Sequence, residues 1–400
     1  MREPGQPITT PGIIIPDPVN FDAVRDDADG GLRTEEMVIN MGPQHPATHG
    51  VLRVILRTDG EMILDAIPDI GYLHRCAEKI GENIPYAQYV PYTDRMDYLA
   101  AMNNNIAYCL AVEKLAGIEA PVRAQYLRVI VAEMNRIASH LVAWGTYGLD
   151  MGAFTPFLYG FRERELIMDL FDALCGARLT YSYAAIGGVR FDAPAGWVEK
   201  VREFLDYFEP KIDEYNQLLS YNQIFIKRTA NVGVIPPDRA IAYGLSGPVL
   251  RGSGVKWDLR KDTPDLVYDK IDFDVCVGDG RMGQVGDCWD RYYVRVLEMV
   301  QSARIIRQAL DQMPPGEFRA KVSRAFKPPV GEVYYEIENP RGQLGFYIVS
   351  DGQAIPYRLK ARGPSFCNVS ILREIARDCL LGDIPAIIGS IDVVMGEVDR

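Results

Sequence analysis

Two histidines four residues apart, His45 and His49, stand in Gly42-Pro43-Gln44-His45-Pro46-Ala47-Thr48-His49-Gly50, and the whole chain has only four. On a helix that spacing would let both rings clasp one metal ion, but Pro43, Pro46 and Gly50 forbid a regular helix there. The segment reads instead as a loop at the end of a strand, where polar side chains can reach a ligand. Imidazole gives and takes a proton near neutral pH, so acid–base work on a bound molecule is the chemistry this loop offers. The plainer reading is a solvated or capping histidine. A second constellation, Tyr92-Thr93-Asp94-Arg95-Met96-Asp97-Tyr98, heads a helical pattern. Asp94 and Asp97 suit a helix N-terminus, and Tyr98 reads equally well as an interior aromatic with a satisfied hydroxyl.

Other routes to chemistry are closed. The seven cysteines are scattered singly with no Cys-x-x-Cys pair, so neither zinc, iron–sulfur nor nickel ligation by this chain is expected. Gly278-Asp279-Gly280-Arg281-Met282-Gly283 spells a dinucleotide fingerprint but lacks the βαβ setting that gives the letters meaning. No phosphate-binding P-loop, H-E-x-x-H or G-x-S-x-G is present. Redox work by this chain therefore needs a cofactor held elsewhere.

The elements that must position these residues follow from pattern. Residues 1–33, rich in Pro, Gly and Asp, read as an extended arm. Residues 34–90 read as a small β-subdomain carrying the histidine loop, with a type I′ hairpin at Asp59-Gly60. Residues 91–313 read as a bundle of long helices at 96–116, 121–147, 156–176 and 284–313, with a more amphipathic helix over 194–220. The stripe Val285, Trp289, Tyr292, Val296, Met299, Ala303, Ile306, Leu310, Met313 is a bundle seam that Pro314-Pro315 ends. Phe161-Arg162-Glu163-Arg164-Glu165 reads as a charged helix stripe beside a face packed on another subunit. Residues 314–400 read as a C-terminal α+β segment, so the fold class is α+β, mainly α. The net charge of −11 argues against nucleic-acid binding. No apolar run approaches the roughly 20 residues of a membrane span, and no basic-then-apolar leader opens the chain, so an intracellular protein able to sit on a membrane is expected.

Several motifs in order carry a family resemblance: Gly42 to Arg53, Gly71-Tyr72-Leu73-His74-Arg75, Tyr98, Ala138-Ser139-His140-Leu141, Phe161 to Glu165, Ile186-Gly187-Gly188-Val189-Arg190, Arg362-Gly363-Pro364-Ser365-Phe366 and Met395-Gly396-Glu397-Val398-Asp399-Arg400. They resemble the D subunit of respiratory complex I, the quinone-site subunit of proton-pumping NADH:quinone oxidoreductase, from about residue 34 to the last. That family is similar in fold to the large subunit of nickel–iron hydrogenases. The hydrogenase thiol pairs are missing here: the tail Asp392-Val393-Val394-Met395 has no cysteine. Cys76 stands where family members commonly have Gly.

The resemblance implies that a quinone head group occupies a vacated, partly apolar nickel cavity. His49 and Tyr98 would hydrogen-bond its carbonyl oxygens, and Asp150 would pair with His49. It also implies an iron–sulfur cluster in the neighbouring B subunit, with Arg75, His140 and His45 near the shared interface, and contacts with the C and H subunits. The setting implied is the cytoplasmic face of the inner membrane. Reducing a quinone takes two electrons and two protons, and a phenol and an imidazole are reasonable donors of the protons. The competing reading is a non-catalytic scaffold subunit of a hydrogenase-like complex.

Overall fold

The computed structural model describes residues 36–323 and 326–400; the arm expected over 1–33 lies outside them. A three-stranded antiparallel sheet opens the described chain: β1 (Glu36–Met41), β2 (Arg53–Asp59) and β3 (Met62–Asp69), in the order β1-β2-β3. Its residues alternate in burial along β2, as one face turned to the core requires. Asp59 pairs with Met62 across a two-residue loop, Gly60-Glu61. Gly60 has φ +58° and Glu61 is not in the left-handed region, so the expected type I′ turn, with two positive φ values, does not form.

Five helices make the bundle: α1 (Ala101–Ala116), α2 (Val122–Asp150), α3 (Phe154–Cys175), α4 (Trp197–Phe208) and α5 (Cys288–Gln312). α1 starts five residues later than its pattern suggested. Asp97 Oδ1 accepts from the amides of Leu99 and Ala100 (3.2 Å each), which holds a turn ahead of the helix. Gly117, at φ +64°, stops it. The helix expected over 194–220 breaks after Phe208, at Glu209-Pro210, and resumes as a shorter one at Lys211–Tyr215. α2 lies at the centre, in contact with α1, α3 and α5. The α5 seam is buried from Trp289 to Leu310, while Val285 precedes the helix and is exposed.

A short hairpin, β4 (Ala184–Ala185) with β5 (Gly188–Val189), follows α3. A second antiparallel sheet of β6 (Gly331–Asn339), β7 (Gly342–Ser350) and β8 (Arg358–Arg362) packs Val333, Ile337, Phe346 and Ile348 into the same core as α1 and α2. The chain then turns inward. α6 (Ile384–Ile391) and the short α7 (Met395–Asp399) are almost wholly buried and share a core with Leu52, Val54, Leu56 and Ile63 of the N-terminal sheet. The mixed, mainly helical architecture expected from the sequence is present. The Gly278–Gly283 stretch is irregular backbone ahead of α5 with no strand before it, so it has none of the dinucleotide-binding setting. Among the described residues no helix is long and apolar enough to cross a membrane.

Candidate functional site

His49 ends a single helical turn, Pro46–Thr48, built from the proline-fenced loop. His45 caps that turn: its Nδ1 accepts from the amide of Ala47 (3.2 Å), and Thr48 Oγ1 donates to His45 O (2.7 Å). His49 itself takes φ +50°, which throws its ring off the turn and toward the C-terminal end of α2. There its Nε2 lies 3.1 Å from Asp150 Oδ2, with side-chain exposures of 12% and 7%. The carboxylate fixes Nε2 as the protonated, donating nitrogen and leaves Nδ1 with no partner among the described residues. Gly389 of α6 backs this pair. A Cβ there would lie 2.5 Å from the Tyr147 ring and 2.9 Å from Asp150 Oδ2, so only glycine lets α6 come this close.

Tyr98 sits in the turn that precedes α1, half-buried, and its hydroxyl bonds to no described residue. Burial raises its pKa, Arg341 and Arg75 pull it down, and Asp97 adds to the rise. Beneath it Arg341 enters from the β6–β7 turn, fully buried. It donates to Asp97 Oδ2 (2.9 Å), Ser139 Oγ (3.0 Å), Asp392 O (3.0 Å) and Asp392 Oδ1 (3.3 Å). Asn339 Nδ2 reaches Glu397 Oε1 (3.3 Å), whose carboxyl is pushed up to about 7 by burial and by Asp97. The interior around the tail is thus packed with guanidinium and carboxylate groups.

The tail brings the two loops together. Met395 lies against Gly50, 4.0 Å from where a side chain there would begin. The next residue, Gly396, packs so tightly on the Tyr98 segment that a Cβ would lie 2.5 Å from Met96 O and 3.2 Å from Arg95 O and Arg75 Nη2. Two consecutive residues therefore touch the His49 loop on one side and the Tyr98 turn on the other. The tail is in turn fastened by the Asp399 carboxylate, which accepts from the amides of Gly71 (2.8 Å) and Leu73 (2.7 Å), and His74 Nδ1 donates to Asp399 O (2.7 Å). Arg75 is exposed and donates to Arg95 O (2.5 Å). Cys76 has φ +56°, a conformation that glycine adopts without strain and a β-carbon disfavours.

The remaining predicted site residues separate. His45 and Arg75 lie on the surface, whereas His140 has no exposed surface at all. Its Nε2 is 2.9 Å from Glu298 Oε2, and burial lowers its pKa. α2 points His140 into the bundle, so it does not itself form part of this chain's surface. It belongs to a buried polar network that the sequence reading missed. Arg251 bridges Glu298 (2.8 Å) and Glu338 (2.7 Å), and Glu133 takes Arg260 (3.2 Å), Arg136 (3.1 Å), Tyr268 (2.7 Å) and Ser302 (2.7 Å). The available signal was a second stripe on α5, Arg291, Arg295, Glu298 and Ser302, at spacings of four, three and four. Likewise the stripe at 161–165 is not simply solvated: Glu163 is fully buried and accepts from Arg162 Nε (2.6 Å) and Tyr207 (3.0 Å).

Clefts of about 480, 320 and 240 Å³ open on this chain, and none of the three is lined by His49, Tyr98 or Asp150. Among the described residues no group of three or more His, Cys, Asp or Glu side chains is placed to hold a metal ion. The arrangement supplies two hydrogen-bonding groups without other partners among the described residues, the Tyr98 hydroxyl and His49 Nδ1, the second on a ring backed by a carboxylate.

Residues 150–326 and 318–400, together more than half of the chain, match the family described as "Respiratory-chain NADH dehydrogenase, 49 Kd subunit". The chain is 57% identical over 373 residues to the D subunit of NADH-quinone oxidoreductase from Chlorobaculum tepidum, covering 92% of this chain and 93% of the relative. It is 56% identical over 369 residues to the D subunit from Geobacillus kaustophilus, covering 92% and 99%. It is 55% identical over 373 residues to the D subunit from Prosthecochloris aestuarii, covering 92% and 93%. The chain belongs to the family of D subunits of NADH-quinone oxidoreductase, and its partners are the other subunits of that complex.

Proposed function

We propose that this subunit forms one wall of the site where the complex reduces quinone. His49 and Tyr98 donate hydrogen bonds to the two carbonyl oxygens, and Asp150 orients His49 and balances the positive charge of its protonated ring. The observation that carries this reading is the convergence of both loops on Met395-Gly396, each presenting a donor that no other described residue occupies. Quinone reduction to quinol consumes two protons, and a phenol and an imidazole on opposite sides of one ring would be chemically suited to give them. Electrons come from an iron–sulfur cluster in the neighbouring B subunit, which docks on the surface that includes His45 and Arg75. The opposite wall of the chamber belongs to that partner, consistent with the absence of His49 and Tyr98 from the three clefts described above. Contacts with the C and H subunits place the chain in the arm on the cytoplasmic side of the membrane. Release of the proton shared by His49 and Asp150 starts the conformational step that drives proton pumping.

Tyr98→Phe and His49→Ala, each in the assembled complex, test the reading. Quinone reduction should fall in both, while subunit content and reduction of the clusters by NADH stay as in the unmodified complex. A pure scaffold predicts undiminished quinone turnover in both variants, and that outcome would remove these residues from the chemistry.

A further inference from the structure

The Ile186-to-Arg190 segment has no part in the site above, yet its geometry is demanding. β4 and β5 meet in a turn where Gly187 (φ +87°) and Gly188 (φ +148°) let the chain at 318–322 lie directly against them. Ala320 donates its amide to Gly187 O (2.7 Å), and Val189 donates to Phe318 O (3.1 Å). A Cβ on Gly188 would run into Phe318 O, and one on Gly187 would lie 2.8 Å from Val322 Cγ2. This close approach sets Arg319 and Arg190 on the rim of one cleft of about 480 Å³, whose walls include Ile186, Phe191, Val322 and Phe326.

Both arginines are exposed, and neither makes an ion pair or a side-chain hydrogen bond with any described residue. That is unusual in this molecule. Other exposed arginines are tied: Arg178, Arg239 and Arg304 each hold a carboxylate, and Arg75 and Arg95 donate to backbone carbonyls. Two cations share one apolar cleft that no carboxylate lines, on a chain whose net charge is −11, and Arg190 acts on the buried Asp94 only from a distance, without pairing with it. In sequence, the stretch from Arg319 to Lys327 carries further basic residues, Lys321, Arg324 and Lys327, and no acidic one. The cleft is of the size that takes a few side chains or a small ligand, and Phe191, 53% exposed, leaves apolar surface at its edge. An anion with an apolar body resolves both features at once.

We propose that this cleft is a docking site for an acidic segment of another subunit of the oxidoreductase, carrying at least two carboxylates and an apolar side chain. The carboxylates pair with Arg190 and Arg319, and the apolar side chain fills the space beside Phe191 and Val322. The occupant is a polypeptide because this chain is established as one subunit of a multi-subunit complex and the cleft opens at its surface. Complementary charge then fixes the register of the contact.

The test places a benzophenone-bearing amino acid at Phe191 in the assembled complex and maps its photo-crosslinks by mass spectrometry. The expected product joins position 191 to a segment of a neighbouring subunit with two or more carboxylates within a few residues. Adding Arg190→Glu and Arg319→Glu should cut the yield of that product at least about tenfold, by like-charge repulsion. Changing the mapped acids to Lys should restore it. If the double reversal disturbs assembly, Arg190→Gln with Arg319→Gln serves in its place and should lower the yield in the same direction. Crosslinks only to this chain, only to lipid, or to a segment without carboxylates would overturn the proposal. So would a yield indifferent to charge in complexes of normal subunit content. None of these results bears on His49 or Tyr98, so the quinone reading stands or falls separately.

Discussion

Gly389→Ala perturbs the His49–Asp150 pair without replacing a titratable group. The added methyl would lie 2.5 Å from Tyr147 Cδ2 and 2.9 Å from Asp150 Oδ2. Favourable non-bonded contacts begin at about 3.5 Å, so the ring must give by about 1 Å and the carboxylate by roughly 0.6 Å. The Nε2–Oδ2 distance is 3.1 Å, and a retreat of that size along the bond takes it past the ~3.2 Å limit of a good N–H···O bond. Overpacking of this kind costs about 1–3 kcal/mol in stability. A loss of alignment approaching 1 Å lowers turnover on the order of ten- to a hundredfold. The assay is quinone reduction by the assembled complex beside subunit content and melting temperature, with Gly382→Ala as control. Gly382 is exposed, and the nearest atom to its added methyl is Arg228 Nη2 at 3.7 Å. A Gly389→Ala complex with unchanged turnover and unchanged melting temperature would refute the reasoning, because it would show that α6 does not press on the pair.

Two further expectations concern the scaffold under the site. Burial alone would raise the Glu133 pKa, but Arg136 and Arg260, with bonds from Ser302 and Tyr268, outweigh it and hold the carboxyl down at about 2. Its folded pKa is below its ordinary 4.5, so its stabilising contribution is present above about pH 4.5 and is lost as the pH falls toward about 2. Glu133→Gln leaves buried guanidinium groups underpaired and should destabilise by about 3–5 kcal/mol, with a flatter acid limb in thermal melts. Asp399→Asn keeps the shape but removes the charge that holds the amides of Gly71 and Leu73. A loss of about 1.5–3 kcal/mol is expected, read as faster hydrogen exchange confined to residues 71–75.

The long helices and their seam were legible because apolar residues recur at three and four over many turns, and most of the α5 stripe is buried as that period requires. The histidine loop was legible from its prolines and glycines. What the pattern could not show is pairing at a distance. His49 and Asp150 are 101 residues apart, and their partnership entered only through family resemblance. Arg341 was missed because Asn-Pro-Arg-Gly reads as an exposed turn. Only the fold reveals that this turn points inward, where Asp97 and Asp392 wait for a cation. One apolar seam is enough to explain α5 as a helix, so the pattern says nothing of the charges on its other faces. α5 is buried on more than that seam, so its second stripe had to be polar and mutually satisfied.

The most direct measurement is a structure of the assembled complex with a quinone-site inhibitor bound. The account predicts one inhibitor ring between the two loops, with His49 Nδ1 and the Tyr98 hydroxyl each within hydrogen-bonding distance of it and Asp150 still on Nε2. An inhibitor that blocks quinone reduction while touching neither residue would contradict it.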